Sequence, residues 1–117
     1  ASLPESMTIL SDFEFRMGAN DQAIEYLEHA IRLDPNLAAA RHSYGLALVR
    51  ERRYDEALAE LKRAHELELG NARYVYVYAV ALNSTGLVDD ALAVLDKARR
   101  DFPDDAEIQS LWQVLRR

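Results

Sequence analysis

The side chains that most often carry catalytic or metal chemistry are few in this sequence. The histidines are His29, His42 and His65, and none has a second histidine three or four residues away, which a helical metal pair requires. The chain has no cysteine, which removes a thiolate nucleophile, a cysteine zinc site and a disulfide framework. We therefore predict no metal site, no cofactor and no catalytic residue.

Other chemical arrangements are equally weak. Two pairs of adjacent aspartates, 89–90 and 104–105, stand where helices are expected to start, and capping is the commoner role of carboxylates there. Ser43 follows His42, but adjacent residues on a helix point apart and cannot act as nucleophile and base. The four glycines are isolated, so no phosphate-binding loop is present. An enzyme is the function class that these residues favour least.

Composition excludes further classes. The formal net charge is −6, and a duplex nucleic-acid binder needs clustered basic residues instead. No apolar run approaches the roughly 20 residues of a membrane helix, and no signal-peptide pattern precedes one. We expect a soluble protein, but the sequence does not separate cytoplasm from bacterial periplasm. The chain begins at Ala1 and its first methionine is Met7, so we expect a processed or excised piece.

The elements that would position any functional residue repeat along the chain every 34 residues. The residues in one register are Asp21, Asp55 and Asp89; Ala23, Ala57 and Ala91; Leu27, Leu61 and Leu95; and Ala30, Ala64 and Ala98. A fixed period of this length is typical of a stacked-repeat architecture, in which one unit cannot bury its own apolar faces.

Each 34-residue unit is predicted to hold two helices. Apolar residues at three- and four-residue intervals indicate the second helices, and the recurring aspartate stands in their first turn, where the helix dipole favours a carboxylate. Gly18 and Gly86 suit the C-terminal caps of first helices. The seven predicted helices are 5–17, 21–33, 37–51, 55–67, 71–84, 89–102 and 105–116.

The segment 74–78, Tyr-Val-Tyr-Val-Tyr, conflicts with this assignment, because alternating aromatic and β-branched residues are typical of a strand. In register, however, it occupies the place of 40–44 in the preceding first helix. Since tertiary packing routinely overrides local propensity, we predict a helix.

The register resembles the tetratricopeptide repeat, whose units have small and large residues at fixed positions. The third unit provides Val75, Tyr78, Ala79, Leu82, Ala91, Leu95, Ala98 and Pro103, and the second provides Arg41, Tyr44, Gly45, Leu48, Ala57, Leu61, Ala64 and Leu69. The small residues would let helices approach closely. The resemblance implies an all-α fold: a right-handed superhelical α-solenoid of antiparallel helix pairs, in one domain over 1–117. Its units would be 4–37, 38–71 and 72–105, followed by a capping helix at 105–116.

Both ends of the array depart from this pattern. In helix 5–17, Ser11 stands where the family has Gly or Ala, and Glu14 stands where it has an aromatic or other large residue. We therefore expect this helix to pack loosely or to form an end unit. The last helix is apolar over more than one stripe. Part of it, including Trp112, should pack on residues 88–101, and the rest would be exposed. Continuation in a longer parent protein or pairing with a second copy would cover that surface.

The resemblance also implies a concave groove lined by the first helices. The groove residues are predicted to be His42, Leu46, Val49, Arg50, Arg73, Tyr76, Val80 and Asn83, and the terminal helix adds Glu107, Ser110 and Val114. An apolar strip would take side chains of a ligand, while Arg50, Arg73 and Tyr76 would orient a polar or acidic group. The alternative is that Leu46, Val49 and Val80 merely pack between neighbouring helices.

Members of this family that clamp acidic C-termini of chaperones use basic and amide residues at five positions. Here those positions hold Thr8, Asp12, Ser43, Arg73 and Val77, of which Arg73 alone fits by charge, so that clamp is predicted to be absent.

The predicted function is a protein–protein interaction scaffold that binds a peptide or protein segment in this groove, without enzymatic activity, nucleic acid or membrane insertion. The alternative is a structural module that self-associates through its terminal helices or spaces the domains of a larger parent. The tyrosine-rich third unit resembles repeat arrays of some bacterial envelope proteins, which suggests a bacterial origin. The sequence does not identify the partner.

Overall fold

The computed structural model describes residues 20–117, and all regular structure in that part of the chain is helical. The helices are α1 (Asn20–Leu33), α2 (Ala38–Arg50), α3 (Tyr54–Leu67), α4 (Ala72–Ser84), α5 (Val88–Asp101) and α6 (Ala106–Leu115). Their ends agree with the predicted ones to within one residue. The remaining predicted helix, 5–17, and the Gly18 cap lie outside the described residues. Helix α4 contains the Tyr-Val run, so the choice of helix over strand is confirmed.

The described part of the chain divides into two compact units, of which the first ends at Leu67 and the second is 68–117. These two units are distinct from the predicted 34-residue repeats. In the first unit, α2 packs against both α1 and α3; in the second, α5 packs against both α4 and α6. Within each unit, short turns fold a helix back on the one before it, which gives the predicted helix pairs. The division into three 34-residue repeats within a single domain remains a prediction.

The core of the first unit is built from the small and large residues of the register. Ile24, Leu27 and Ala47 form a buried cluster with Tyr44 packed on it, and burial raises the pKa of the Tyr44 phenol above its ordinary value. At Gly45 the helices α2 and α3 come close together, because a Cβ atom added there would lie 2.7 Å from Cγ of the fully buried Leu61.

Polar contacts also join the helices of the first unit. The Arg41 guanidinium forms an ion pair with Glu60, with Nη1 and Oε2 3.0 Å apart, and the two side chains are only 19% and 18% exposed. Arg41 also donates from Nε to the Pro35 carbonyl at 3.0 Å. At the other end of α2, the Asn20 amide donates to the carbonyl of Ala47 and to the Glu51 carboxylate.

The second unit is closed by the terminal helix. Its core joins the three helices through buried residues of each, namely Val75, Ala79, Leu95, Ala98 and Ile108. Asn71 and Asp105 cap α4 and α6, since their side-chain oxygens accept from the backbone N–H of the residue three positions later.

Trp112 fixes α6 on α5. Its indole Nε1 donates to Asp96 at 2.7 Å, and the Arg99 guanidinium lies 3.4 Å from the ring centroid. Arg116 lies over the same ring at 4.6 Å. The prediction that Trp112 packs on residues 88–101 is confirmed.

The turns that follow α2 and α4 each contain one residue with positive φ. Gly86 has φ +86°, and the N–H groups of Gly86 and Leu87 donate to the carbonyls of Asn83 and Leu82, which forms a Schellman cap. This confirms the cap predicted at Gly86.

Arg52, which is 34 residues earlier, adopts the same conformation with φ +60°. The N–H groups of Arg52 and Arg53 donate to the carbonyls of Val49 and Leu48 at 3.0 and 2.9 Å. The same cap is therefore built with a residue that carries a Cβ atom.

Candidate functional site

The first unit carries half of the predicted groove residues, all on α2. His42, Leu46 and Val49 follow one another at intervals of four and three residues, which places them on one side of the helix, and Arg50 lies beside them at its C-terminal end. Arg50 is exposed, and the other three are partly buried. The opposite side of α2 carries Ala47 and Leu48, which are fully buried. Leu46 and Val49 therefore lie apart from the most deeply buried residues of α2.

The second unit carries the other half on α4. Arg73, Tyr76, Val80 and Asn83 are spaced by three, four and three residues, so they too share one side of their helix. Arg73 is exposed, and the others are partly buried. On the other side Val75, Ala79 and Leu82 are buried, as the register predicts.

Within the second unit, the structure brings one groove residue of α4 together with the terminal helix. A shallow depression of about 380 Å³ is lined by Tyr76, Ala106, Glu107, Ser110, Leu111 and Val114. The sequence-predicted groove positions among these are Tyr76, Glu107, Ser110 and Val114. Val114 is 56% exposed, so an apolar surface is open to solvent here.

Leu111 and Ala106 were not predicted for this site. Leu111 packs against the buried cluster of the second unit as well as lining the depression. The sequence signal was present, because Leu111 and Val114 are three residues apart and therefore neighbours on the same helix surface.

Charged groups mark one edge of the depression. The Arg73 guanidinium lies 5.7 Å from the centroid of the Tyr76 ring, and its Nη1 is 3.6 Å from Oε2 of Glu107. Both members of this ion pair are 64% exposed. The sequence contained a signal for this pair, because Arg73 and Glu107 are 34 residues apart. They therefore occupy equivalent positions of α4 and α6 in the 34-residue register.

The chemistry available in these surfaces is noncovalent. Within residues 20–117, no group of three or more His, Asp or Glu side chains is arranged to hold a metal ion. No helix in the same part of the chain is both long and apolar enough to cross a bilayer. The absence of enzymatic activity and of a cofactor remain predictions.

Comparison with solved structures shows what this architecture resembles. The chain is similar to YrrB, a tetratricopeptide repeat (TPR) protein with an unusual peptide-binding site, at 27% identity and a TM-score of 0.78. The match covers 92% of this chain and 55% of that one, so this chain spans about half the length of YrrB.

Two further structures are alike in fold at lower identity. The TPR2B domain of yeast Sti1, in complex with pHsp70, has 21% identity and a TM-score of 0.83, over 98% of this chain and 97% of that one. The type III secretion chaperone SycD of Yersinia enterocolitica, in complex with a peptide of the translocator YopD, has 16% identity and a TM-score of 0.81. That match covers 96% of this chain and 91% of SycD.

Comparison with sequences gives a more direct assignment. No curated protein sequence matches the chain. The family model for the tetratricopeptide repeat matches residues 14–74 and 48–113, which together span most of the sequence. The helix pairs, the small residues at their contacts and the similar structures agree with that match. The chain belongs to the tetratricopeptide repeat family.

Proposed function

We propose that this protein is a scaffold that binds an extended peptide segment of another protein, with the depression on its second unit as one subsite. The observation that carries the proposal is the convergence of Tyr76 with Glu107, Ser110 and Val114. The family resemblance implies groove positions for these residues, and they line one open depression. An aliphatic side chain of the ligand would lie on Leu111 and Val114, while the Tyr76 ring and the Arg73 guanidinium would contact a polar group beside it.

The predicted groove residues on α2 provide a second candidate surface, which belongs to the first unit. We propose that Leu46 and Val49 on α2 take further apolar side chains and that Arg50 contacts a polar or acidic group, as the resemblance implies. The peptide complexes of Sti1 and SycD support binding through this fold. Surfaces of this small size should bind a peptide with a dissociation constant on the order of micromolar.

The self-association alternative has no support from the similar structures, and we do not propose it. Light scattering at several concentrations would reveal it, because a molar mass that rises with concentration requires contacts between copies.

The test selects ligands from a displayed library of random peptides on the full chain and measures the affinity of the enriched peptides. Tyr76→Ala combined with Arg73→Ala should weaken their binding by at least ten-fold, on the order expected for an aromatic and an arginine anchor. Tyr54→Ala combined with Arg63→Ala removes the same residue types from exposed positions of α3 and serves as the matched control. Equal affinities for the wild type and the Tyr76/Arg73 variant would overturn the proposal.

A further inference from the structure

The charged edge of the depression contains an acid that belongs to the protein itself. Glu107 lies in the first turn of α6, where its carboxylate is favoured by the helix dipole whether or not it is paired. From there its Oε2 atom approaches the Arg73 guanidinium to 3.6 Å. The arginine that the family resemblance assigns to an acidic ligand is therefore already next to a carboxylate.

The ion pair between Arg73 and Glu107 is weak enough for a ligand to take the place of Glu107. Both side chains are 64% exposed, and the separation of 3.6 Å is longer than a hydrogen-bonded charge pair, so water screens most of the attraction. Arg73 is placed independently by its position over the Tyr76 ring. A ligand carboxylate could reach Arg73, but it would have to displace Glu107 and then remain beside a second negative charge.

A neutral ligand does not meet this obstacle. An aliphatic side chain contacts Leu111 and Val114, and a neighbouring amide or hydroxyl can donate to Glu107 or accept from Arg73 without separating the pair. The charge of the protein also disfavours acids, because the whole chain carries a net charge of −6.

We propose that Glu107 determines the charge specificity of this subsite: it competes with ligand carboxylates for Arg73, so that the depression accepts an aliphatic side chain flanked by an uncharged polar residue. This inference rests on the proposed peptide-binding function. It identifies the ligand class of one subsite, and it assigns Glu107 the role of excluding acidic ligands.

The test uses two blocked tripeptides as probes, acetyl-Leu-Asn-Leu-amide and acetyl-Leu-Asp-Leu-amide, titrated into the full isotope-labelled chain at low salt. Amide resonances of Tyr76, Leu111 and Val114 report occupation of the depression. The wild type should bind the Asn probe at least as tightly as the Asp probe. In Glu107→Gln, affinity for the Asp probe should rise on the order of five-fold, and affinity for the Asn probe should stay within two-fold of the wild-type value.

The control variant is Asp104→Asn, which removes the same charge from an exposed position three residues earlier that has no contact with the depression. It should leave both affinities unchanged. The gain in Glu107→Gln should also disappear in about 0.5 M salt, because exposed charges are screened there. Unchanged resonances elsewhere in α6 would show that the helix remains docked.

Three outcomes overturn the inference. If Glu107→Gln binds the Asp probe no better than the wild type does, or if Asp104→Asn produces the same gain, Glu107 has no specific role and peptide binding itself stands. If neither probe shifts the three reporter resonances in any variant, the depression is not a peptide subsite, and the proposed function fails there together with the inference.

Discussion

The distance between α2 and α3 depends on one missing side chain. Gly45 lies against Leu61, whereas the residue 34 positions later, Ala79, lies in the second unit and carries a Cβ atom. The missing Cβ atom therefore permits the contact between Gly45 on α2 and Leu61 on α3. A methyl group added here would lie 2.7 Å from both Cγ and Cδ2 of Leu61, which is fully buried.

We expect Gly45→Ala to lower the free energy of unfolding by about 1 kcal/mol. Overpacking costs roughly 1–3 kcal/mol, and the better helix propensity of alanine returns about 0.5–1 kcal/mol. Urea denaturation would measure the difference. Gly70→Ala is the control, because a Cβ atom added at Gly70 would have no neighbour within 4 Å. Equal stability of Gly45→Ala and the wild type would mean that the helices separate without loss.

The turn between α2 and α3 places a residue that has a side chain in the left-handed region of backbone conformation. Arg52 has φ +60° and occupies the cap position that Gly86 has in the next unit. The Cβ atom makes this conformation costly, whereas glycine adopts it freely. The hydrogen bonds of the cap involve backbone atoms alone, so glycine would keep them.

Arg52→Gly should therefore raise the free energy of unfolding by about 0.5–1 kcal/mol, the relief of left-handed strain less the greater entropy of an unfolded glycine. Arg52→Ala removes the same charge and keeps the Cβ atom, so it should leave stability close to that of the wild type. Thermal unfolding of both variants would decide. A gain shared by the alanine variant would indicate relief of charge and not of backbone strain.

These elements show which parts of the structure the sequence could predict. The ends of α2 to α6 follow from apolar periodicity and from cap positions, which are properties of the backbone and of short side chains. The family resemblance implied that Tyr76, Ser110 and Val114 share one surface, and all three line the depression. The pairing of Arg73 with Glu107 was not predicted. The 34-residue period places the two residues at equivalent helix positions, but it does not specify where the ends of long flexible side chains lie.

The two units use different interactions between their helices at equivalent positions of the 34-residue register. Arg41 and Glu60 form a largely buried ion pair in the first unit. The residues 34 positions later are Val75 and Val94, and both belong to the apolar cluster of the second unit. The same two positions thus join a helix pair through charge in one repeat and through apolar contact in the next.

We expect Arg41→Val and Glu60→Val to be destabilising separately, each by about 2 kcal/mol, because each leaves one largely buried charge without its partner. The double variant reproduces the combination found in the second unit and should recover most of that loss. A double-mutant cycle by urea denaturation measures the coupling between the two sites. If the losses of the two single variants simply add in the double variant, the two positions are independent.

The position of Trp112 has a consequence for how this protein can be observed. It is the sole tryptophan, and the guanidinium groups of Arg99 on α5 and of Arg116 both lie over its ring. Its fluorescence therefore reports the docking of the terminal helix, while circular dichroism follows helix content throughout the chain. In repeat arrays, where stability is a sum over neighbouring units, end helices can fray before the middle melts. Superimposable fluorescence and dichroism curves would mark a single cooperative transition, and an earlier fluorescence change would resolve the fraying of the helix that completes the depression.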